Sequence, residues 1–211
     1  MKYLRIIAVL VALLAASAAA ETVTGLDTMA YTLTDPKHVV ITDSAIGALF
    51  IEGTVDGANI EIRNSKIGYI QCDVPITDSV IAVSDSAIGA HNHTAARSEK
   101  NPVSFTKDIS GSEVAFTNTN ITAITGSVAF GIEVASLVGA STFSVSESHV
   151  TLVTSLASVS TTVAGVRAAS VLAGAKLSVA DSTVAISDPP LTGKVTNYAA
   201  ISAGVVNGSS V

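Results

Sequence analysis

The amino-acid sequence predicts an all-β protein, a right-handed parallel β-helix (β-solenoid) of about six irregular coils that are 21–34 residues long. Three observations lead to this fold class. One short window recurs six times, each copy alternates apolar with polar residues, and the composition favours small and β-branched residues over aromatic ones, with no Trp. β-Branched residues favour pleated strands, and recurrence at this spacing is typical of a solenoid.

The recurring window has the form apolar-x-apolar-x-[Asp/Asn/Glu]-[Ser/Thr]-x-apolar-x-apolar. Its copies are VVITDSAIGA (39–48), NIEIRNSKIGY (59–69), VIAVSDSAIGA (80–90), EVAFTNTNITA (113–123), TFSVSESHVTL (142–152) and KLSVADSTVAI (176–186). Each arm has a period of two, as in a strand with one buried face. The apolar residues on either side of the central pair are an odd number of positions apart, so a bend must separate the arms if both face one core.

The bend falls on the central pair, which forms the predicted structural corner. The corner pairs are Asp43-Ser44, Asn64-Ser65, Asp85-Ser86, Asn118-Thr119, Glu147-Ser148 and Asp181-Ser182. Asp, Asn and Ser favour bends because their side chains bond to nearby backbone, and Asn and Asp tolerate left-handed geometry. The alternative is acid–base catalysis by Asp43, Asp85 and Asp181. Neutral Asn occupies the same position in two copies and cannot act as a base, so we predict no catalytic residue here.

A second recurring segment predicts a third strand in the later coils. It reads GIEVASLVGAS (131–141), GVRAASVLAGA (165–175) and, more loosely, NYAAISAGVVN (197–207), and the first two copies lie 34 residues apart. Equivalent strands of successive coils would pair in parallel at about 4.8 Å. An antiparallel sandwich is the competing all-β fold, and the equal corners with their 21-residue spacing argue against it.

The stacked VSDSAIG-type windows of 39–211 resemble those of pectin-lyase-like right-handed β-helix proteins. Their repeat pattern is also similar to that of repeat-rich surface proteins of parasitic protists and of bacterial autotransporter passenger domains. The first resemblance implies polysaccharide lyase or hydrolase chemistry, for which the family uses clustered acids or a Ca²⁺ site with a basic residue. This chain has no adjacent Asp pair, Asn-Thr-Asp, Gly-His-Gly or Arg-Ile-Lys, and Asn118-Thr119-Asn120 ends in an amide. We therefore predict a protein that is not an enzyme.

The N-terminal 20 residues predict a secretory signal peptide. They combine the basic residues Lys2 and Arg5 with an apolar run and a small-residue end, with cleavage near Ala20. An uncleaved membrane anchor is the alternative, although the run is short for a span. Residues 21–38 are predicted to form an N-terminal cap and 39–211 the β-helix. The protein is therefore expected to be secreted or at the cell surface.

Charge and cysteine content restrict the partners. The net charge of −6 becomes −8 when Lys2 and Arg5 are removed, which disfavours nucleic acid and anionic membrane surfaces. No later segment is long and apolar enough to span a bilayer. The one cysteine, Cys72, is interpreted as a buried small apolar residue, with an intermolecular disulfide as the alternative. No cofactor is predicted.

The longest charged stretch, HNHTAARSEKNPVSFTKDISGSE (91–113), is predicted to be a polar loop insertion. His91 and His93 could share a Zn²⁺ ion, but a structural site needs four ligands and no others are evident, so we predict no metal. Insertions on rigid repeats commonly carry binding. The candidate binding residues are His91, His93, Arg97, Lys100 and Lys107.

Three sequons, at Asn92, Asn120 and Asn207, are candidate N-glycosylation sites. Ice binding would require the same outward Thr in every coil. It is disfavoured because Arg63 and Ala180 interrupt the outward column of Thr and Ser residues. The predicted function is that of a structural or adhesive β-solenoid presenting a rigid surface to extracellular protein or glycan partners. The alternative is a carbohydrate-binding or carbohydrate-processing β-helix. End-to-end self-association or a longer array is a further expectation.

Overall fold

The computed structural model describes residues 20–89, 101–125, 130–154, 162–187 and 197–211, and these residues form strands and no helix. No segment of this described part is therefore a helix that could cross a membrane. The all-β class predicted from sequence is confirmed. The strands are β1 (Glu21–Thr24), β2 (Asp27–Thr34), β3 (His38–Thr42), β4 (Ala45–Glu52), β5 (Val55–Asp56), β6 (Asn59–Arg63), β7 (Lys66–Cys72), β8 (Ile76–Thr77), β9 (Val80–Ser84), β10 (Ala87–Ile88), β11 (Val103–Ser110), β12 (Glu113–Thr117), β13 (Asn120–Thr125), β14 (Phe130–Val138), β15 (Thr142–Ser146), β16 (His149–Thr154), β17 (Thr162–Leu172), β18 (Lys176–Ala180), β19 (Thr183–Ser187) and β20 (Asn197–Asn207).

The chain visits two parallel sheets in turn. One sheet has the order β1-β3-β6-β9-β12-β15-β18, and the other contains the remaining strands, with β19-β16-β13-β10-β7-β11-β14-β17-β20 as its main path. Neighbours in both sheets come from successive repeats of the chain, because each strand pairs in parallel with its equivalent one repeat earlier and one repeat later. The antiparallel sandwich is thereby excluded.

The two apolar columns of the recurring window coincide with the registers of these sheets. Their interior members are almost fully buried, and the last member of each column is only partly buried. Burial of such columns is the main favourable term in folding. The column before the corner runs Ile41, Ile62, Val83, Phe116, Val145, Val179, and the column after it runs Ile46, Ile67, Ile88, Ile121, Val150, Val184.

The third strand is present in the later repeats with one change of register. Ile132 pairs with Val166, which is the predicted 34-residue offset. Val166 then pairs with Ile201, whereas the looser sequence match aligned it with Tyr198. The earlier repeats contain the same strand, because Ile70, in the second half of β7, pairs with Val103 of β11.

Two segments differ from the sequence prediction. Residues 21–38 hold β1 and β2, which pair in parallel with β3 and β4, so the segment predicted as a cap forms a repeat of the same stack. Within 91–113, Val103–Ser110 form β11 and are not loop. The strand forms because Val103, Phe105 and Ile109 face the core while the charged residues between them are exposed.

In the longer repeats, two separate strands pair with what is one continuous strand in the shorter repeats. β10 and β11 pair with the two halves of the same strand, β7, with Ile88 opposite Ile67 and Val103 opposite Ile70. β13 and β14, β16 and β17, and β19 and β20 are interrupted at the equivalent place, whereas β4 and β7 run through it. We call this position the insertion corner. Strand pairing continues on both sides of this corner in repeats of different length, and β11 has one register shift against β14, between Phe105 and Asp108.

Candidate functional site: the groove along the Asp-Ser corner

The residue at each predicted corner adopts left-handed backbone geometry. The φ angles lie between 47° and 52°, a region that Asn and Asp enter more readily than most residues. Glu is less suited to it, yet Glu147 has a φ of 51°. The members of the column are Asp43, Asn64, Asp85, Asn118, Glu147 and Asp181. The recurrence of Asp and Asn is thus explained by the turn that the backbone makes.

The hydroxyl residue that follows forms a ladder inside the stack. Ser65 Oγ donates to the Arg63 carbonyl at 2.7 Å and accepts the Ser44 amide N–H at 3.2 Å from the preceding repeat. Ser148 repeats this pattern, accepting the Thr119 N–H at 3.0 Å. A hydroxyl suits this place because it donates and accepts at once. Of the two corner residues expected to bond to nearby backbone, the hydroxyl residue makes these bonds.

A second hydroxyl ladder lies at another corner, which the sequence analysis missed. Ala58 N–H donates to Ser79 Oγ and Ser79 N–H donates to Ser112 Oγ, both at 3.0 Å. Ser112 N–H in turn donates to Ser141 Oγ at 3.5 Å. The signal was present, because the tetrapeptide ITDS of the first corner, 41–44, recurs at 76–79. Only the two residues of β8 precede the Asp-Ser pair of this second copy as a strand, so the alternation that marks the window is too short to see.

The acidic column itself is exposed, and its first four members alternate between charged and neutral, whereas the last two, Glu147 and Asp181, are both acidic. The Asn64 amide donates to Asp43, and the Asn118 amide donates to Asp85 at 2.7 Å. Hydrogen bonds from the Thr42 hydroxyl and then from Asn64 lower the pKa of the Asp43 carboxyl. Over the first four members of the column, the amide between carboxylates keeps like charges apart.

These side chains line a shallow groove of about 290 Å³ on the surface of the stack. Its polar wall comes from three successive repeats and contains Asn64, Lys66, Asp85, Asn118 and Asn120, all exposed. The groove offers an ammonium, amide groups and carboxylate oxygens to a ligand. Its serine hydroxyls are buried and bonded to main-chain carbonyls, so they are not poised as nucleophiles.

Few of the predicted binding-loop residues fall in the described part of the chain. Lys107 lies exposed on β11, whereas His91, Asn92, His93, Arg97 and Lys100 lie outside the described residues. Among the residues that the structure places, no group of three or more His, Cys, Asp and Glu side chains could hold a metal ion. Of the sequon residues, Asn120 is exposed in the groove and Asn207 is exposed at the end of β20.

A polar cluster lies beside the insertion corner. The Asn101 amide donates to Glu133 at 2.6 Å and its carbonyl oxygen accepts the Phe130 N–H at 3.2 Å. Arg167 pairs with Glu133 at 3.0 Å, and its guanidinium lies 4.6 Å from the Phe130 ring centroid. These contacts tie three successive repeats together beside the inserted segments.

Cys72 is a core residue. It is fully buried in the apolar cluster, and its Sγ contacts the Val74 carbonyl at 3.5 Å. Burial raises the pKa of the Cys72 thiol to about 11, which keeps the unreactive thiol form at neutral pH. Its position matches the buried apolar interpretation, and the side chain is out of reach of a second chain.

Comparison of the chain with models of protein families, with curated proteins and with solved structures found no match.

Proposed function

We propose that the chain is a secreted or cell-surface right-handed parallel β-helix, not an enzyme, that serves as a structural or adhesive module for extracellular protein or glycan partners. The observation that carries this proposal is the groove at the Asp-Ser corner, where side chains from successive repeats are held in fixed register by a buried hydroxyl ladder. A rigid array of hydrogen-bonding groups suits recognition, because little conformational entropy is lost on binding.

The absence of an activated group supports binding over turnover. Within the described residues, the groove hydroxyls are bonded to carbonyls, and the one groove carboxylate, Asp85, accepts the Asn118 amide. A glycosidase needs two carboxyl groups with different environments across the scissile bond. The alternative function, a carbohydrate-binding or carbohydrate-processing β-helix in the pectin-lyase-like style, is favoured by the amide and ammonium groups of the same groove, which match sugar hydroxyls.

A glycan array probed with the full chain, with reducing-end release followed on every hit, tests both functions. Binding without release supports the adhesive module, whereas release of product identifies an enzyme. Lys66→Ala should weaken binding by about tenfold to a hundredfold if the groove is the site, since a charged hydrogen bond contributes roughly 1.5–3 kcal/mol. Lys107→Ala is the matched control, because Lys107 is an equally exposed lysine on β11, outside the groove. Loss of binding in Lys107→Ala alone would show that the binding site lies at β11 and not in the groove.

A further inference from the structure

Asn207 and Gly208 form the last corner of the stack. Asn207 is the final residue of β20 and is exposed, and Gly208 has a φ of 61°. When glycine follows asparagine, the main-chain nitrogen meets no Cβ as it approaches the asparagine side chain. Glycine therefore offers the least steric resistance to contact between its main-chain nitrogen and the Asn207 side chain.

The main-chain N–H at this position is bonded where the residue is Asp78 or Ala173, and it has no partner among the described residues where it is Gly111, Gly139 or Gly208. The equivalent N–H groups of Asp78 and Ala173 each donate to the carbonyl of the next repeat at 3.0 Å. The Gly208 N–H has no hydrogen-bond partner among the described residues. The main-chain nitrogen is thus held by a hydrogen bond at Asp78 and Ala173, whereas the Gly208 nitrogen is not held by one among the described residues.

Two other asparagines of the same corner type are protected. The N–H groups after Asn64 and Asn118, those of Ser65 and Thr119, donate to serine hydroxyls at 3.1 and 3.0 Å. The carboxamides of both asparagines are also held, because each donates to an aspartate of the preceding repeat. A nitrogen engaged in a buried hydrogen bond must give up that bond before it can attack.

We propose that Asn207 is a site of spontaneous deamidation in the folded protein, and that Asn64 and Asn118 are not. The Gly208 nitrogen loses its proton and attacks Asn207 Cγ, and the side-chain nitrogen takes up a proton and leaves as ammonia. Water then adds to one carbonyl of the resulting succinimide. Opening gives aspartate or isoaspartate at position 207, with no change of oxidation state.

Either product changes the end of the stack. Both place a carboxylate on an exposed corner, and isoaspartate also inserts the side-chain methylene into the main chain between β20 and Gly208. Asn207 O accepts hydrogen bonds from the Ala173 N–H and from the Ser209 hydroxyl. The altered main chain would therefore loosen the pairing of the last corner with the one before it.

The test follows the three asparagines in one sample. The full chain, produced in bacteria so that no N-glycan is attached, is incubated at neutral and mildly alkaline pH, native and in urea. Proteolysis and mass spectrometry then measure amide loss, with isoaspartate distinguished from aspartate by fragmentation. We expect native conversion at Asn207 several-fold faster than at Asn64 or Asn118, faster at higher pH, and little changed by urea.

Two outcomes would overturn the proposal. One is an Asn207 that converts in urea but is stable in the native chain, since the last corner would then protect it. The other is native conversion of Asn64 at the rate of Asn207, since hydrogen bonding would then have no effect. Gly208→Ala is a second check: it should slow conversion at Asn207 several-fold and leave the rates at Asn64 and Asn118 unchanged.

Discussion

The first and the last repeats of the described stack present different surfaces. In the first repeat, Glu21 pairs with Val39 in the register of a core column, so a charged residue occupies an inward position. Its carboxylate accepts the Tyr31 hydroxyl at 3.3 Å, and burial together with the Glu21 charge raises the pKa of Tyr31. An inward charge on an edge strand is a known protection against pairing with another chain.

The last repeat continues the apolar pattern instead. Val184, Ile186 and Ile201 remain only partly buried, and Val205 and Val206 are 57% and 48% exposed. The edges of β19 and β20 carry no further strand among the described residues. The comparison teaches that the same column position contributes more burial inside the described stack than at its last repeat. We therefore expect the exposed apolar edge of the last described repeat to pair with another chain more readily than the first repeat does.

The largest expected effect contrasts one substitution at an interior and an end position of one column. Val150 is fully buried and pairs with Val184, which is partly buried. Val150→Asp should lower the free energy of unfolding by about 4 kcal/mol or more, since it buries an unpaired charge, and Val184→Asp by about half as much or less. Urea unfolding measures both, and equal losses would refute the contrast. Ile88→Asp, also at a fully buried position, should behave like Val150→Asp.

The hydroxyl ladder gives the next largest effect. Ser65→Ala leaves the buried Ser44 N–H without an acceptor, which should cost about 1–3 kcal/mol. Ser182→Ala is the matched control, because Ser182 also accepts an N–H, that of Ser148, but is partly exposed in the last window. Water can replace the lost hydroxyl there, so the melting temperature should fall less. A Ser65→Ala protein that melts like the parent would show that the ladder contributes little.

Self-association tests the two ends directly, because we expect end-to-end contact to be limited by Glu21. Glu21→Val removes the inward charge and should raise the associated fraction in sedimentation velocity. Val205→Lys places a charge on the last strand and should lower it. If Glu21→Val leaves association unchanged while Val205→Lys lowers it, only the last repeat takes part.

The smallest effects are expected in the acidic column. Asp85→Asn keeps the side-chain oxygen at the corner and should change the free energy of unfolding by less than about 0.5 kcal/mol. For Asp43, the folded pKa is lowered, so its contribution is present above the unfolded pKa and is lost as pH falls through the folded pKa. Asn64→Ala should remove part of that acid sensitivity, as measured by NMR titration of Asp43. A titration unchanged by Asn64→Ala would contradict the assigned cause.

The sequence predicted the parts of the fold that depend on local alternation. Both apolar columns, the corner positions and the offset between β14 and β17 follow from residues that alternate over five or more positions. The repeat at 21–38 was missed because Gly25 replaces the Asp of the corner: glycine reaches a φ of 66° without a side chain that marks the turn. β11 was missed because its exposed face carries the charges that suggested a loop.

The candidate site was only partly predictable for a different reason. Sequence columns showed which residues share a corner, but Asp and Ser were equally plausible as the hydrogen-bonding partner. Which one points inward depends on the left-handed turn at the first of the two, which directs the exposed Asp43 outward and buries Ser44. The pairing of Asn118 with Asp85 across repeats of unequal length likewise requires the register of the sheets.

The two hydroxyl ladders have a further consequence for the environments that the protein can tolerate. Neither ladder contains an ionisable group, because its contacts between repeats run from main-chain N–H groups to serine hydroxyl oxygens, within a stack whose core is apolar. Counterions screen charges and leave such contacts untouched. The cohesion between neighbouring repeats should therefore persist from dilute buffer to brine, while recognition at the charged groove outside changes with ionic strength.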